Sequence, residues 1–154
     1  MIHARRPTPL IVTLSALLWA GSAFADDDSS RAKLMGTWQS AGTGETKSTW
    51  ALEGLGESIH VTNSNGTQTV AEFDCNTVGK ECAVKDAGRK SKVSMYFNGP
   101  RLVELETRGT QVVKRRFIVS DDGATMDLDT IPIAPEGKTE TTHFKRVPSV
   151  VAKQ

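Results

Sequence analysis

One basic side chain interrupts an apolar series and is the first candidate for chemistry. Val113, Phe117 and Val119 alternate at the period of a strand and therefore share one face, and Arg115 falls on that same face. A buried guanidinium needs an anionic partner, because burying an unpaired charge is costly. Arg115 is a candidate ligand contact if it points inward. If the strand twists or bulges instead, Arg115 faces solvent.

The chain has two cysteines, Cys75 and Cys82, and the segment between them contains the flexible Gly79. Two cysteines are too few for a tetrahedral structural zinc site, and no histidine lies near them in sequence. In an oxidising compartment such a pair predicts a disulfide, with residues 76–81 as a constrained surface loop. We predict no metal site and no cofactor for this chain.

Two histidines lie in the body of the chain, His60 and His143, and neither has an Asp, Glu or Cys at metal-ligand spacing. We interpret both as solvent-exposed or core residues. The serines lack the Gly-x-Ser-x-Gly setting of a strained nucleophile. Nothing in the sequence indicates catalysis, and we predict that the protein is not an enzyme.

Two glutamates, Glu104 and Glu106, share one face of a predicted strand and have the residue types of an acid–base pair. Lys114 and Arg116 share a face of the next predicted strand, one hairpin away. Cross-strand ion pairs on a solvated surface explain this arrangement, and we predict that role for both glutamates.

The N-terminal region has the parts of a secretory signal peptide. A basic tip with Arg5 and Arg6 precedes an apolar run over residues 10–20 and a small-residue stretch over 21–25. We predict cleavage after Ala25 and a periplasmic or secreted protein. The run is shorter than the roughly 20 residues that span a bilayer, so we expect no stable membrane anchor. Losing the two arginines changes the formal net charge from +1 to −1, which offers no attraction to nucleic acid.

Turn signals such as Asn65-Gly66 and Asp122-Gly123 recur along the rest of the chain at about 8–12 residue intervals, and the segments between them alternate apolar with polar side chains. This rhythm predicts antiparallel strands over residues 37–40, 46–52, 58–62, 67–74, 92–97, 102–107, 111–120, 125–129 and 139–147. Residues 131–135 contain two prolines and are predicted to form a stiff connection or an edge strand.

The predicted organisation has four parts. Residues 1–25 are the signal peptide, 26–36 an N-terminal segment with a short helical turn, 37–147 a single all-β domain and 148–154 a C-terminal tail. About eight or nine short strands is the count of an up-and-down β-barrel or, alternatively, of a β-sandwich.

A short helical lead-in followed by Gly36-Thr37-Trp38 resembles the start of lipocalin-like barrels. The stretch from Tyr96 to Arg146 is similar to the meander of small secreted bacterial lipocalin-like proteins. The resemblance covers most of residues 26–154 and implies a calycin-type antiparallel barrel of about 8–9 strands. It also implies that Gly36 bends the chain and that Trp38 plugs the closed end of the barrel, with Arg146 across its indole.

The same resemblance implies a non-enzymatic protein that holds a small apolar or amphipathic ligand. In fatty-acid-binding-like barrels an inward arginine meets a ligand carboxylate, which makes Arg115, Tyr96 and Arg146 the candidate ligand contacts. Such a carrier should have an apolar cavity of at least about 300 Å³ with a single inward polar group. The alternative is an interaction module or secreted protease inhibitor with a filled barrel. It would bind a secreted or periplasmic protein partner through residues 26–34.

Overall fold

The computed structural model describes residues 23–41, 47–86 and 89–148, so most of the predicted signal peptide and of the C-terminal tail lies outside the described residues. Within these ranges one helix, α1 (Ala23–Leu34), precedes ten antiparallel strands. The strands are β1 (Gly36–Ser40), β2 (Ser48–Leu55), β3 (Ser58–Asn65), β4 (Gln68–Asn76), β5 (Val78–Asp86), β6 (Arg89–Asn98), β7 (Arg101–Arg108), β8 (Gln111–Val119), β9 (Thr125–Ala134) and β10 (Glu140–Val147).

Each strand pairs with its neighbours in sequence, and β1 also pairs with β10, which closes the sheet into an up-and-down barrel. The predicted all-β fold is therefore confirmed as a barrel, and the β-sandwich alternative is wrong. The helix α1 is longer than the short turn expected before β1. No helix among the described residues is both long enough and apolar enough to span a membrane.

Side chains alternate between the interior and the outer face along the strands. The interior near α1 is a closely packed apolar core with several fully buried members, which include Leu34, Trp38, Leu52, Met95, Phe117 and Phe144. This core fills one half of the barrel, next to the helix, and leaves the other half for the site described below.

The structure has ten strands where the sequence predicts eight or nine, because residues 78–86 form β5. Most of the expected loop between the cysteines belongs to this strand. Its sequence, VGKECAVKD, lacks a regular apolar alternation, and its backbone is held by an antiparallel ladder with β6. Pairing with an existing neighbour, rather than a pattern of its own, makes this segment a strand.

For residues 131–135 the predicted stiff connection is wrong over most of the segment, since β9 runs through Pro132 to Ala134. The edge-strand alternative fits better, because residues 131–134 pair with β8 but lie beyond the ladder between β9 and β10. Pro132 lies opposite Val113, at the point where the register between β8 and β9 shifts. A residue without a backbone N–H is accommodated at such an irregularity, because the regular ladder is already interrupted there.

Trp38 fills the end of the barrel beside α1. Its Nε1 donates a hydrogen bond of 2.9 Å to the carbonyl oxygen of Leu34, and the guanidinium of Arg146 lies 4.1 Å from its ring centroid. Gly36 has a φ of +128°, and a Cβ at this position would lie 2.6 Å from Nη1 of Arg146. The position therefore requires glycine.

The disulfide between Cys75 and Cys82 joins β4 to β5, with a Cα–Cα distance of 5.5 Å. These two strands form a single residue pair, Ala71 with Asp86, whereas the other neighbouring strands share longer ladders. The disulfide thus links the two neighbouring strands that share the shortest backbone ladder, and we call this boundary the β4–β5 seam.

Candidate functional site

A cavity of about 240 Å³ lies inside the barrel, in the half away from α1. Its wall is formed mainly by the first half of β2, β4, β6 and β8 and by the second half of β3, β5 and β7. The helix α1 borders the opposite ends of these strands, near Gly54 and Phe97. The apolar part of its wall consists of Trp50, Val70, Ala71, Phe73, Val84 and Val93. The remaining wall is strongly polar.

Arg115 points into this cavity from β8. It lies directly opposite Glu104 of β7, and its Nη1 donates to Oε1 of Glu104 at 2.6 Å and to Oε2 of Glu106 at 2.8 Å. Nη2 of Arg108 donates to Oε1 of Glu106 at 2.8 Å. Together these four residues, Glu104, Glu106, Arg108 and Arg115, form an interior charge cluster. Charge-assisted bonds of this length are the strong class of protein hydrogen bonds.

The surface role predicted for Glu104 and Glu106 is wrong. Glu104 is only 2% exposed, and its partner is the inward Arg115 rather than Lys114 or Arg116. Arg116 instead pairs on the outer face with Asp129, at 2.7 Å. The sequence does contain a signal for the inner pair. A two-residue turn between Arg108 and Gln111 fixes a register in which position 104 faces position 115.

Oε2 of Glu104 and Oγ of Ser91 are buried in the cavity wall, and neither has a hydrogen-bond partner among the described residues. Buried polar groups are normally paired, so each of these atoms is one to which a ligand or a water molecule could form a hydrogen bond. Ser91 is near the start of β6, four positions along the strand from Met95, which faces Glu104. At about 3.4 Å per residue, the two atoms belong to different ends of the cavity.

Protonation differs between the two glutamates of the cluster. Burial raises the pKa of Glu104 above its usual value, and the charge and hydrogen bond of Arg115 offset this only in part. Burial would also raise the pKa of Glu106, but the hydrogen bond and charge of Arg115, with those of Arg108, lower it below the usual value. Glu106 is therefore the firmly ionised member of the pair.

Aromatic rings separate the charge cluster from the apolar core. The guanidinium of Arg115 lies 5.9 Å from the ring centroid of Trp50, and Trp50 meets Phe117 edge to face with centroids 5.3 Å apart. Such contacts suit a cation beside an aromatic face. They also fix Trp50 as the boundary between the packed half and the hollow half of the barrel.

The other two candidate ligand contacts do not reach the cavity. Tyr96 lies on the outer face, because Met95 before it points inward and side chains alternate along β6. The Arg146 guanidinium donates to the carbonyl oxygens of Met35 and Gly123, each at 2.7 Å, and to that of Lys33. These contacts hold it at the closed end of the barrel. The structure therefore does not bring Arg115, Tyr96 and Arg146 together, and of the three only Arg115 lines this cavity.

The cavity departs from the expected form in size and polarity. Its volume of about 240 Å³ is below the predicted minimum of about 300 Å³, and several polar side chains enter it instead of one. A second depression of about 570 Å³, at the rim formed by β5, β6 and β7, shares Val84 and Ser91 with it. The hollow half of the barrel thus suits a small ligand.

Both histidines pair with an aspartate of a neighbouring strand on the outer face. Nδ1 of His60 lies 2.7 Å from Asp74, and Nδ1 of His143 lies 2.7 Å from Asp127. The hydrogen bond with Asp74 is the largest cause that raises the pKa of His60. The described residues contain no group of three or more His, Cys, Asp or Glu arranged to hold a metal ion.

No family model and no curated protein sequence matches this chain. Solved structures do match it. A Schistosoma mansoni fatty acid binding protein in complex with arachidonic acid matches with a TM-score of 0.64 at 14% identity, over 77% of this chain and 99% of that chain. The REP1-NXSQ fatty acid transporter matches with a TM-score of 0.63 at 17% identity, over 76% and 98%.

A third similar structure is the secretory abundant heat soluble protein 4 from Ramazzottius varieornatus, with a TM-score of 0.62 at 14% identity, over 75% of this chain and 96% of that chain. At such identities a likeness shows the fold alone. The chain shares their closed antiparallel barrel, which is the architecture that the sequence resemblance implies.

Proposed function

We propose that this protein is a non-enzymatic binding protein that holds one small apolar or amphipathic molecule inside its barrel. The observation that carries the proposal is the cavity itself. An apolar wall with Trp50, Phe73 and Val93 faces a charged wall centred on Arg115. Concave sites that combine apolar surface with a few placed polar groups are typical of small-molecule binding. The fatty acid transporter and the fatty acid binding protein with the same fold support a lipid-like ligand class.

The volume limits the ligand. A cavity of about 240 Å³ is smaller than the roughly 300–1,000 Å³ of sites for drug-sized molecules. We therefore propose a molecule with a medium-length chain or a small ring system, whose apolar part packs against Trp50 and Phe73. Any longer tail would leave past Val84 and Ser91 toward the rim.

The alternative, an inhibitor or interaction module, requires a barrel filled by its own side chains. The hollow half of the barrel favours the carrier instead. We also propose that the protein is exported and cleaved after Ala25, because its disulfide suits an oxidising compartment. Cleavage there would shorten α1 at its N-terminus and leave the buried Leu34 in place.

A cavity-filling variant tests the proposal. Ala71→Leu adds a branched side chain to the cavity wall, and Ala51→Leu is the matched control on β2, whose neighbours Trp50 and Leu52 point inward. The readout is the fluorescence of a neutral apolar naphthylamine added to the delipidated protein. Binding by the native chain and by Ala51→Leu, with loss in Ala71→Leu, is the expected result. Equal binding by all three proteins, or by none, would overturn the proposed site.

A further inference from the structure

We infer that the ligand end buried against Glu104 is a neutral hydroxyl group rather than a carboxylate. The inference rests on the proposed function, since it concerns the ligand of the same cavity. It goes beyond that function by naming the chemistry of the polar end and the protein atom that receives it, Oε2 of Glu104.

The first support is the charge balance of the cavity wall. The two guanidinium groups of the interior charge cluster face two carboxylates, and Nη1 of Arg115 already donates to both Glu104 and Glu106. A ligand carboxylate would replace neither Glu104 nor Glu106 as a hydrogen-bond partner of Arg115. It would add a further negative charge beside the carboxylate of Glu104.

The second support is the unpartnered acceptor. Glu104 is 2% exposed and lines the cavity, and its Oε2 has no hydrogen-bond partner among the described residues, while Oε1 is held by Arg115. A buried acceptor without a partner is costly, so a ligand that donates a hydrogen bond to it gains affinity relative to one that cannot. A carboxylate has no proton to donate there.

A hydroxyl also fits both protonation states of this side chain. Because burial raises the pKa of Glu104, both the ionised and the protonated forms must be considered. A hydroxyl donates to the ionised carboxylate and accepts from the protonated acid. An ammonium group suits the ionised form alone, and a ligand carboxylate suits the protonated form alone. The neutral group is thus the one whose binding does not require a change of charge in the cavity.

The test compares four molecules with the same carbon chain: octan-1-ol, octanoate, octylammonium and octane. Each competes with the neutral naphthylamine for the delipidated full-length protein with its disulfide intact, at about neutral pH. We expect octan-1-ol to displace the dye best, with octanoate weaker by about tenfold or more, which corresponds to about one buried hydrogen bond or charge contact.

The variant Glu104→Gln sharpens the test. It removes the ionisable carboxyl group, leaves Arg115 an acceptor and places an amide NH₂ where Oε2 was. The cavity then carries a net positive charge and a donor, so octanoate should bind at least as well as octan-1-ol. Asp129→Asn is the matched control, because it makes the same chemical change at the outer Arg116 pair and should keep the native order.

Each outcome has one meaning. If octanoate or octylammonium binds the native protein better than octan-1-ol, or if octane equals octan-1-ol, the inference is wrong while the binding function stands. If Glu104→Gln folds and keeps the native order, Glu104 does not receive the ligand. If neither the dye nor any of the four molecules binds, the proposed function itself fails. Should Glu104→Gln not fold, the native series alone decides.

Discussion

Glu104 and Arg115 face each other across the β7–β8 hairpin inside the barrel, with Oε1 and Nη1 2.6 Å apart. The pair places the guanidinium of Arg115 beside a buried carboxyl group whose pKa is raised by its burial. Breaking a buried ion pair by removing one partner leaves an uncompensated charge, which costs more than the pair itself contributes.

Replacing Arg115 with methionine should therefore destabilise the protein by about 3 kcal/mol or more, because Glu104 loses its partner. Urea unfolding followed by tryptophan fluorescence measures the loss. Lys92→Met is the control, since its pair with Glu81 is exposed on both sides and should cost about 1 kcal/mol or less. The double variant Glu104→Leu/Arg115→Met should recover much of the lost stability. Equal losses in the two single variants would contradict the burial of Arg115.

Glu104 also makes stability depend on pH. Its pKa is raised above 4.5 in the folded protein, so folding favours the protonated form. Its contribution to stability is full below about pH 4.5 and is lost as the pH rises through the folded pKa. Glu104→Gln lacks this loss, so its Tm relative to the native protein should increase between about pH 4 and about pH 8. The comparison with the variant is needed because Glu106, whose pKa is lowered, changes stability in the opposite direction. A constant Tm difference would show that Glu104 titrates normally.

The disulfide should matter most at the β4–β5 seam. Replacing both Cys75 and Cys82 with serine should lower the free energy of unfolding by roughly 2–3 kcal/mol, because the seam otherwise has one residue pair. Native-state hydrogen exchange should show faster exchange in β4 and β5, while the long β8–β9 ladder keeps its protection. Uniform acceleration over all strands would contradict a local role.

Gly36 tests the closed end of the barrel. Gly36→Ala places a methyl group 2.6 Å from Nη1 of Arg146 at a φ of +128°, and should cost about 1–3 kcal/mol. Gly56→Ala is the matched control, because Gly56 also has a positive φ, of 63°, but has no atom within 4 Å of its Cβ position. Thermal unfolding of both variants should show the larger loss at Gly36. A larger loss at Gly56 would contradict the account of this end.

Local signals in the sequence predict most of the strands and hairpins of the barrel. Turn residues with positive φ, such as Gly66, Gly99 and Gly109, lie where the hairpins were predicted, and the alternation of Val93 and Met95 indicates the buried face. The strand β5 was missed because its structure depends on pairing with β6 rather than on its own pattern. The sequence leaves residues 131–135 as either a connection or an edge strand, because the register shift beside Pro132 is not visible in sequence.

The site was only partly predictable for a similar reason. Arg115 stands out because it interrupts an apolar series, but its partners depend on the register of the β7–β8 hairpin. The family resemblance groups Tyr96 with Arg115, but the alternation of β6 turns Tyr96 outward, beside the inward Met95. The missing partner of Glu104 Oε2 follows from three-dimensional packing and has no signal in the sequence.

Native mass spectrometry of the protein purified from its own host, with Cys75 and Cys82 oxidised, tests the central claim most directly. We predict one small molecule per chain, released on denaturation, and its loss from Ala71→Leu but not from Ala51→Leu. A native chain that carries no molecule and binds no added neutral apolar dye would contradict the account and favour an interaction module.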